Sequence, residues 1–166
     1  MDRLLFYLIV LSALGCGLNG GVFFAFSNFI MSGLARLPAE QGVNAMNSIN
    51  ITVVNPLFMV ILFGTAATLF AASALALFRG HDARTPWLIA AAVLYFGGVV
   101  LVTMICNVPR NDALAAISSA DPSLAAAWSE YVRSWTAWNH VRTSAGILAA
   151  ACLSMAVWMS RATGGE

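Results

Sequence analysis

The chain has 166 residues, enough for one domain; 60% of them are hydrophobic and only 9% charged, against the ~25% charged residues of an ordinary soluble domain. That balance excludes a soluble globular protein. The net charge of +1 comes from eight arginines and seven scattered acids, with no lysine, so no basic face is offered to nucleic-acid phosphates.

The charges leave long gaps. Arg3 and Arg36 bracket 32 uncharged residues, Glu40 and Arg79 bracket 38, Arg84 and Arg110 bracket 25, and Arg142 and Arg161 bracket 18. Each gap can hold a membrane-crossing helix, since ~20 apolar residues rising ~1.5 Å each span the hydrocarbon layer. The predicted helices cover about residues 4 to 31, 54 to 79, 86 to 108 and 137 to 160. In the first, Arg3 and the run Leu4 to Leu14 look like the start of a secretion signal, but the apolar stretch continues to Met31, and it reads as a retained membrane helix. Gly17 and Gly21 form a small-residue step that lets backbones approach, and Gly97-Gly98, Gly146 and the neighbouring alanines are similar positions; the contact is expected within the chain ahead of a homo-oligomer contact.

The link from Arg79 to Pro86, through Gly80, His81 and Asp82, is short and made of turn residues, so helices two and three are expected to be antiparallel neighbours. The links at about 32 to 53 and 109 to 136 are longer and mixed in polarity. The second is expected to contain a capped helix, with Asp121-Pro122 opening Ser123 to Trp138, and Pro109 is expected to bend or end the third helix. The fold expected is therefore all-α: an integral membrane four-helix bundle, up-down-up-down, a single domain over residues 1–166, with an extra interfacial helix before the fourth span. Arg3, Arg79, Arg84 and Arg161 fall on one side, and Arg36, Arg110, Arg133 and Arg142 on the other. The arginine pair in the short link favours both termini on the cytoplasmic side of a bacterial inner membrane. Cys16, Cys106 and Cys152 are distant from one another, inside apolar runs, and read as small buried hydrophobes.

Polar side chains gather at one end of this topology: Ser27 and Asn28; Asn50, Thr52 and Asn55; Asn107 and Asn111; and Trp135, Asn139, His140, Arg142, Thr143 and Ser144. At membrane depth such groups cost free energy unless they are paired or line a wet cavity, so a ligand pocket opening to one face is expected; interfacial anchoring and helix glue are the alternative. Phe23, Phe24, Phe26, Phe29 and Phe58, with the stripe Trp128, Tyr131, Trp135 and Trp138, suit either a flat apolar ligand or a core face and membrane-surface belt. His140 has the chemistry to move a proton while Arg142 stabilises an anion. The metal-binding spacings are missing: no HxxxH, no ExxH and no cysteine pair occur, and a haem would have only His140 or a methionine as axial ligand.

Several segments resemble successive signatures of the anthrone oxygenase-like family of small four-helix membrane proteins. They are Gly21 to Ser27 (GVFFAFS), Met31 to Leu34, Met46 to Asn50, Asn55 to Phe58, Asn107-Val-Pro-Arg-Asn111 and the run Trp128 to Thr143 with its Trp-Asn-His-Val-Arg-Thr ending. Ser32 and Arg110 stand where the family pattern has a proline and an aliphatic residue. The resemblance implies oxidation of an anthrone-type polyphenolic or quinol-like ring by dioxygen as co-substrate, without an organic cofactor. It assigns His140 as base and Arg142, with Asn107, Asn111 and Asn139, as oxyanion partners. Asn50, Asn55, Trp135, Trp138, Thr143 and Phe26 complete the expected substrate-binding set, for a small apolar aromatic reached from the lipid bilayer. Two other classes stay open: a non-catalytic protein that binds lipid or quinone or braces a partner complex, and a haem or metal redox enzyme.

Overall fold

Asn55 and Pro56 show how the helices start. The Asn55 side chain accepts a hydrogen bond from the Phe58 amide at 3.0 Å, and Pro56 fills a first-turn position whose N–H would have no partner. In the computed structural model, which describes residues 3–80 and 82–162 (the side chains of 160–162 excepted), five helices follow one another. They are α1 (Arg3–Leu34), α2 (Ala39–Thr52), α3 (Pro56–Phe78), α4 (Thr85–Ala115) and α5 (Leu124–Ala162). Among the described residues four of these, all but α2, are long and apolar enough to cross a membrane. His81 and the Arg161 side chain, which entered the reading of the link and of orientation, lie outside the described residues.

The turn between α3 and α4 follows from local chemistry. Gly80 has φ +91°, a conformation that side-chain-bearing residues avoid, and it turns the chain out of α3. Asp82 then accepts from the Arg84 amide at 2.9 Å and pairs with the Arg84 guanidinium, which holds its carboxyl below the usual range. At the start of α5, Asp121 accepts from the amide and hydroxyl of Ser123 at 2.8 and 2.7 Å, which likewise lowers its pKa.

Helix contacts run in a regular order. Ser12 on α1 meets Thr68 on α3, and Asn19 meets the Ile61 carbonyl; Ser73 on α3 reaches the Leu88 carbonyl of α4, and Tyr95 reaches that of Leu62. Such a series is the pattern of helices that run against their neighbours. Between α1 and α5 the backbones nearly touch at Gly20 and Gly146: a Cβ on Gly146 would lie 3.1 Å from the Gly20 Cα. The main core is Ile9, Cys16, Leu69, Leu88, Tyr95, Val99, Ala149 and Leu153 with their neighbours.

Several expectations change. Gly17, Gly21 and Gly97 have open space around them; the glycines in close contact are the expected Gly98 and Gly146 together with Gly15, Gly20 and Gly42, the last against Trp128. The segment from Ser123 to Trp138 is not a separate helix; it is the first part of α5, because no proline or glycine interrupts the chain between Leu124 and Ala145. Pro109 does not end α4. The helix widens to π geometry over Leu94–Leu101 and Thr103–Asn107 just before it, and the Arg110 guanidinium takes the Cys106 carbonyl. The 32 to 53 link contains α2, an amphipathic helix whose Val43 and Met46 pack with Leu114, Leu124, Trp128 and Tyr131. Cys16 is buried, while Cys106 and Cys152 are half-buried; all are free thiols.

Candidate functional site

On α5 the positions 135, 139 and 142 share one face, four and three residues apart. They present Trp135, Asn139 and Arg142 to α1 and α4. Asn139, fully buried, donates from Nδ2 to the Phe23 carbonyl at 2.6 Å and to the Ser27 hydroxyl at 2.8 Å. Its Oδ1 accepts from Arg142 Nη2 at 2.7 Å. The Arg142 guanidinium also donates from Nη1 to Thr103 at 3.3 Å and lies between two rings, its Cζ 4.4 Å from the Phe23 centroid and 4.9 Å from that of Trp135.

The arginine is only 5% exposed, and its Nε has no partner. No carboxylate pairs with it among the described residues; the ion pairs found there join Arg84 to Asp82 and Arg133 to Glu130. A buried cation without a counter-charge costs several kcal/mol of desolvation that an anion placed beside it offsets.

Arg142 borders a cavity of about 140 Å³. Helices α1, α2, α3, α4 and α5 all contribute to its wall, through Phe23 and Phe26, Met46 and Asn50, Phe58, Thr103 with Asn107 and Asn111, and Trp135 with Arg142. Two π-helical turns, Phe26–Ile30 and Thr103–Asn107, supply part of this wall; such turns shift a helix face by adding a residue to the turn and recur at functional sites. Two further lining groups are unpaired: Asn50 Nδ2, a donor, and Asn107 Oδ1, an acceptor, while Asn107 Nδ2 is held by the Trp135 carbonyl at 3.2 Å. Asn111 is fixed differently. Its Oδ1 accepts from both the Tyr131 hydroxyl and Trp135 Nε1, at 2.9 and 2.8 Å, which sets the amide's orientation.

Of the residues singled out in the sequence, Phe23, Phe26, Asn50, Phe58, Asn107, Asn111, Trp135 and Arg142 come together around this cavity, while Phe24 and Phe29 are exposed and do not line it. Asn139 and Thr143 do not line it. They lie behind it, Thr143 bonded to Asn139 O at 2.9 Å and to Ser27 at 3.1 Å, and they hold Arg142 and α1 in place. Asn55 is spent on capping α3. Trp138 is turned outward, with the Arg110 guanidinium 6.0 Å from its ring centroid.

His140 is the largest departure. One residue past Asn139 is a rotation of about 100° around the helix, so His140 faces outward, exposed, along two shallow grooves that share no residue with the Arg142 cavity. Sequence reasoning missed Thr103, whose signal was its position four residues before Asn107. Among the described residues no group of three or more His, Cys, Asp or Glu side chains is placed to hold a metal ion.

The pattern that defines a family described as anthrone oxygenase matches residues 56–152, more than half of the chain. The matched stretch holds α3, α4 and most of α5, hence Asn107, Asn111, Trp135 and Arg142, while the α1 and α2 side of the cavity lies before it. No curated protein and no solved structure matches the chain.

Proposed function

The chain belongs to the anthrone oxygenase family, and from that membership together with the Arg142 cavity we propose that it is a membrane-embedded oxygenase that oxidises a hydroxylated aromatic ring with dioxygen. It does so without an organic cofactor or metal. The observation that carries the reading is the buried guanidinium with a free Nε, beside an unpaired donor on Asn50 and an unpaired acceptor on Asn107.

An anthrone loses a proton from its central CH2 to give a delocalised anion whose charge rests largely on the ring oxygen. A fixed cation next to that oxygen favours the anionic form and holds it without reorganisation. The anion is electron-rich enough to reduce dioxygen directly. One oxygen atom becomes the new ring carbonyl, and the other leaves as water carrying both CH2 hydrogens, so atoms balance with no external reductant. The protein's part is to bind the ring, stabilise its anion and limit water. Among the described residues no histidine or carboxylate lines the cavity, so Arg142 acts through charge stabilisation and the CH2 proton passes to solvent rather than to His140. Arg79 and Arg84 in the α3–α4 link support termini on the cytoplasmic side of a bacterial inner membrane.

The test is oxygen uptake and quinone formation by the full chain in membranes. Arg142→Met is expected to lower turnover of an anthrone or hydroquinone about 10²-fold or more, the loss typical when an oxyanion partner is removed. Undiminished turnover in that variant overturns the assignment. Ring binding without oxygen consumption in the unaltered protein marks a quinone-binding protein instead.

A further inference from the structure

Arg142 is closed in, but a second guanidinium is open. On α4, Arg110 donates from Nη1 to the Cys106 carbonyl and from Nε to the Ser134 hydroxyl at 3.3 Å. Its Nη2 has no protein partner among the described residues and reaches the surface. Glu130, the acid bordering the same stretch of surface, is held by Arg133 at 2.8 Å, so no carboxylate among the described residues balances Arg110. The arginine is fixed in place by its two bonds, with one edge of its fork and its charge left over.

The surroundings are those of a headgroup boundary above an apolar track. Arg110 ends the charge-free run that begins after Arg84, and the outward-turned Trp138 ring, 6.0 Å from its Cζ, is of a kind that favours the membrane–water interface. Positions 134, 138, 141, 145 and 148 of α5 follow one another at spacings of four and three, so they form one stripe. Ser134 and Trp138 flank Arg110. Further along the stripe, Val141, Ala145 and Leu148 line a groove whose other wall is Val93, Leu94 and Gly98 of α4. Gly98 and Ala145 draw the two helices together at its floor, where a Cβ on Gly98 would run into that of Ala145. Apart from His140 and Ser144 the groove is apolar, and Val141 and Leu148 are 42% and 52% exposed, so it opens sideways to lipid. From Val141 to Leu148 it runs for about 10 Å along the helix axis. None of these residues lines the Arg142 cavity.

We infer that the seam between α4 and α5 binds one phospholipid with an anionic headgroup. Its phosphate accepts from Arg110 Nη2, and one acyl chain lies in the groove past Val141 toward Leu148. A guanidinium fork with a free edge matches phosphate oxygens, and basic positions between membrane helices select acidic headgroups. A zwitterionic headgroup brings the phosphate but no net charge to offset Arg110, and it binds more weakly.

The experiment offers the full chain equal amounts of phosphatidylglycerol and phosphatidylcholine with the same acyl chains, and counts the phospholipid retained per chain by native mass spectrometry after mild delipidation. One phosphatidylglycerol per chain is expected, retained about fivefold over phosphatidylcholine, the preference one arginine gives near an acidic headgroup. Arg110→Gln is expected to bring that ratio to about one, while Arg110→Lys, which keeps the charge, should hold it within about twofold of the parent. Val141→Trp, at an exposed groove position, is expected to lower retention of both lipids with their ratio kept, since it fills the groove and leaves Arg110 in place. Equal retention of the two lipids by the parent, or an unchanged ratio in Arg110→Gln, overturns the inference and leaves Arg110 as a clamp on the Cys106 carbonyl. Unchanged retention in Val141→Trp overturns the groove as the seat of the acyl chain. Should Arg110→Gln not fold, the ratio in the parent and the outcome for Val141→Trp decide.

Discussion

The cluster around Tyr95 and the cluster around Arg142 are both polar groups buried in one apolar bundle, yet they are built to opposite rules. Tyr95, fully buried, accepts from Asn19 Nδ2 at 2.9 Å and donates to the Leu62 carbonyl at 3.0 Å. Asn19 also donates to the Gly15 carbonyl at 2.9 Å, and Thr65 to that of Ile61 at 2.6 Å. Almost every polar atom there finds a partner inside the protein; Asn19 Oδ1 is the exception. Around Arg142, by contrast, Arg142 Nε, Asn50 Nδ2 and Asn107 Oδ1 are buried without a partner, on residues that all border one cavity. A closed network joins helices, as interhelical hydrogen bonds do in lipid. An open one leaves the desolvation of its polar groups uncompensated within the protein.

Four substitutions, taken from the largest effect downward, try that contrast. Arg142→Met is expected to lose about 10²-fold or more in turnover. Its resistance to unfolding in detergent should change by no more than about 2 kcal/mol, because the cost of leaving Asn139 Oδ1 without its donor is offset by no longer burying a cation that has no counter-charge. A large drop in stability would make Arg142 a structural pin like Tyr95 and erase the distinction. Gly146→Leu attacks both clusters at once, because a side chain there meets the Gly20 backbone. Overpacking at such a contact costs about 1–3 kcal/mol, and separation of α1 from α5 breaks the Asn139 bond to Phe23. Unfolding in detergent and turnover should therefore fall together. Tyr95→Phe removes one hydroxyl from the closed cluster and should cost about 0.5–2 kcal/mol, with ring binding held within about twofold of the parent. Lost binding with intact stability would put Tyr95 in the functional site.

The sequence revealed depth well and direction poorly. Charge-free runs locate the four long apolar helices, since burying a charge in hydrocarbon is costly. They also predict the polar end at Asn50, Asn107 and Arg142, which meet at one cavity. Helix α2 was hidden because its larger apolar positions, Val43, Met46, Ile49 and Ile51, lie among polar neighbours. The continuity of α5 was hidden because hydropathy rises only after Trp138, and the cap at Asp121 looked like the start of a short element. Within the site, Asn139 and His140 share a depth and differ by one step around the helix. Only the packing of α5 on α1, through Gly20 and Gly146, decides which of the two points inward. The π turns at Phe26–Ile30 and Thr103–Asn107 add to the difficulty, since each extra residue rotates the face that a regular 3.6-residue period predicts.

His140→Ala is the smallest expected effect and the one that separates geometry from residue type. A histidine two positions from a buried arginine invites a base–cation reading, because its ordinary pKa lies near neutrality. Its ring nevertheless borders grooves formed by Met31, Thr136, Leu94 and Gly98, on the surface of α5 away from Asn107 and Trp135. A general base has to reach the proton it removes directly or through one water, and the body of α5 stands between His140 and the ring site. Turnover of His140→Ala, read as oxygen uptake in membranes, is expected within about twofold of the parent. A loss of turnover as large as that of Arg142→Met would mean that α5 rotates to bring His140 into the cavity, and the assignment of charge stabilisation to Arg142 alone would give way to a role shared with His140.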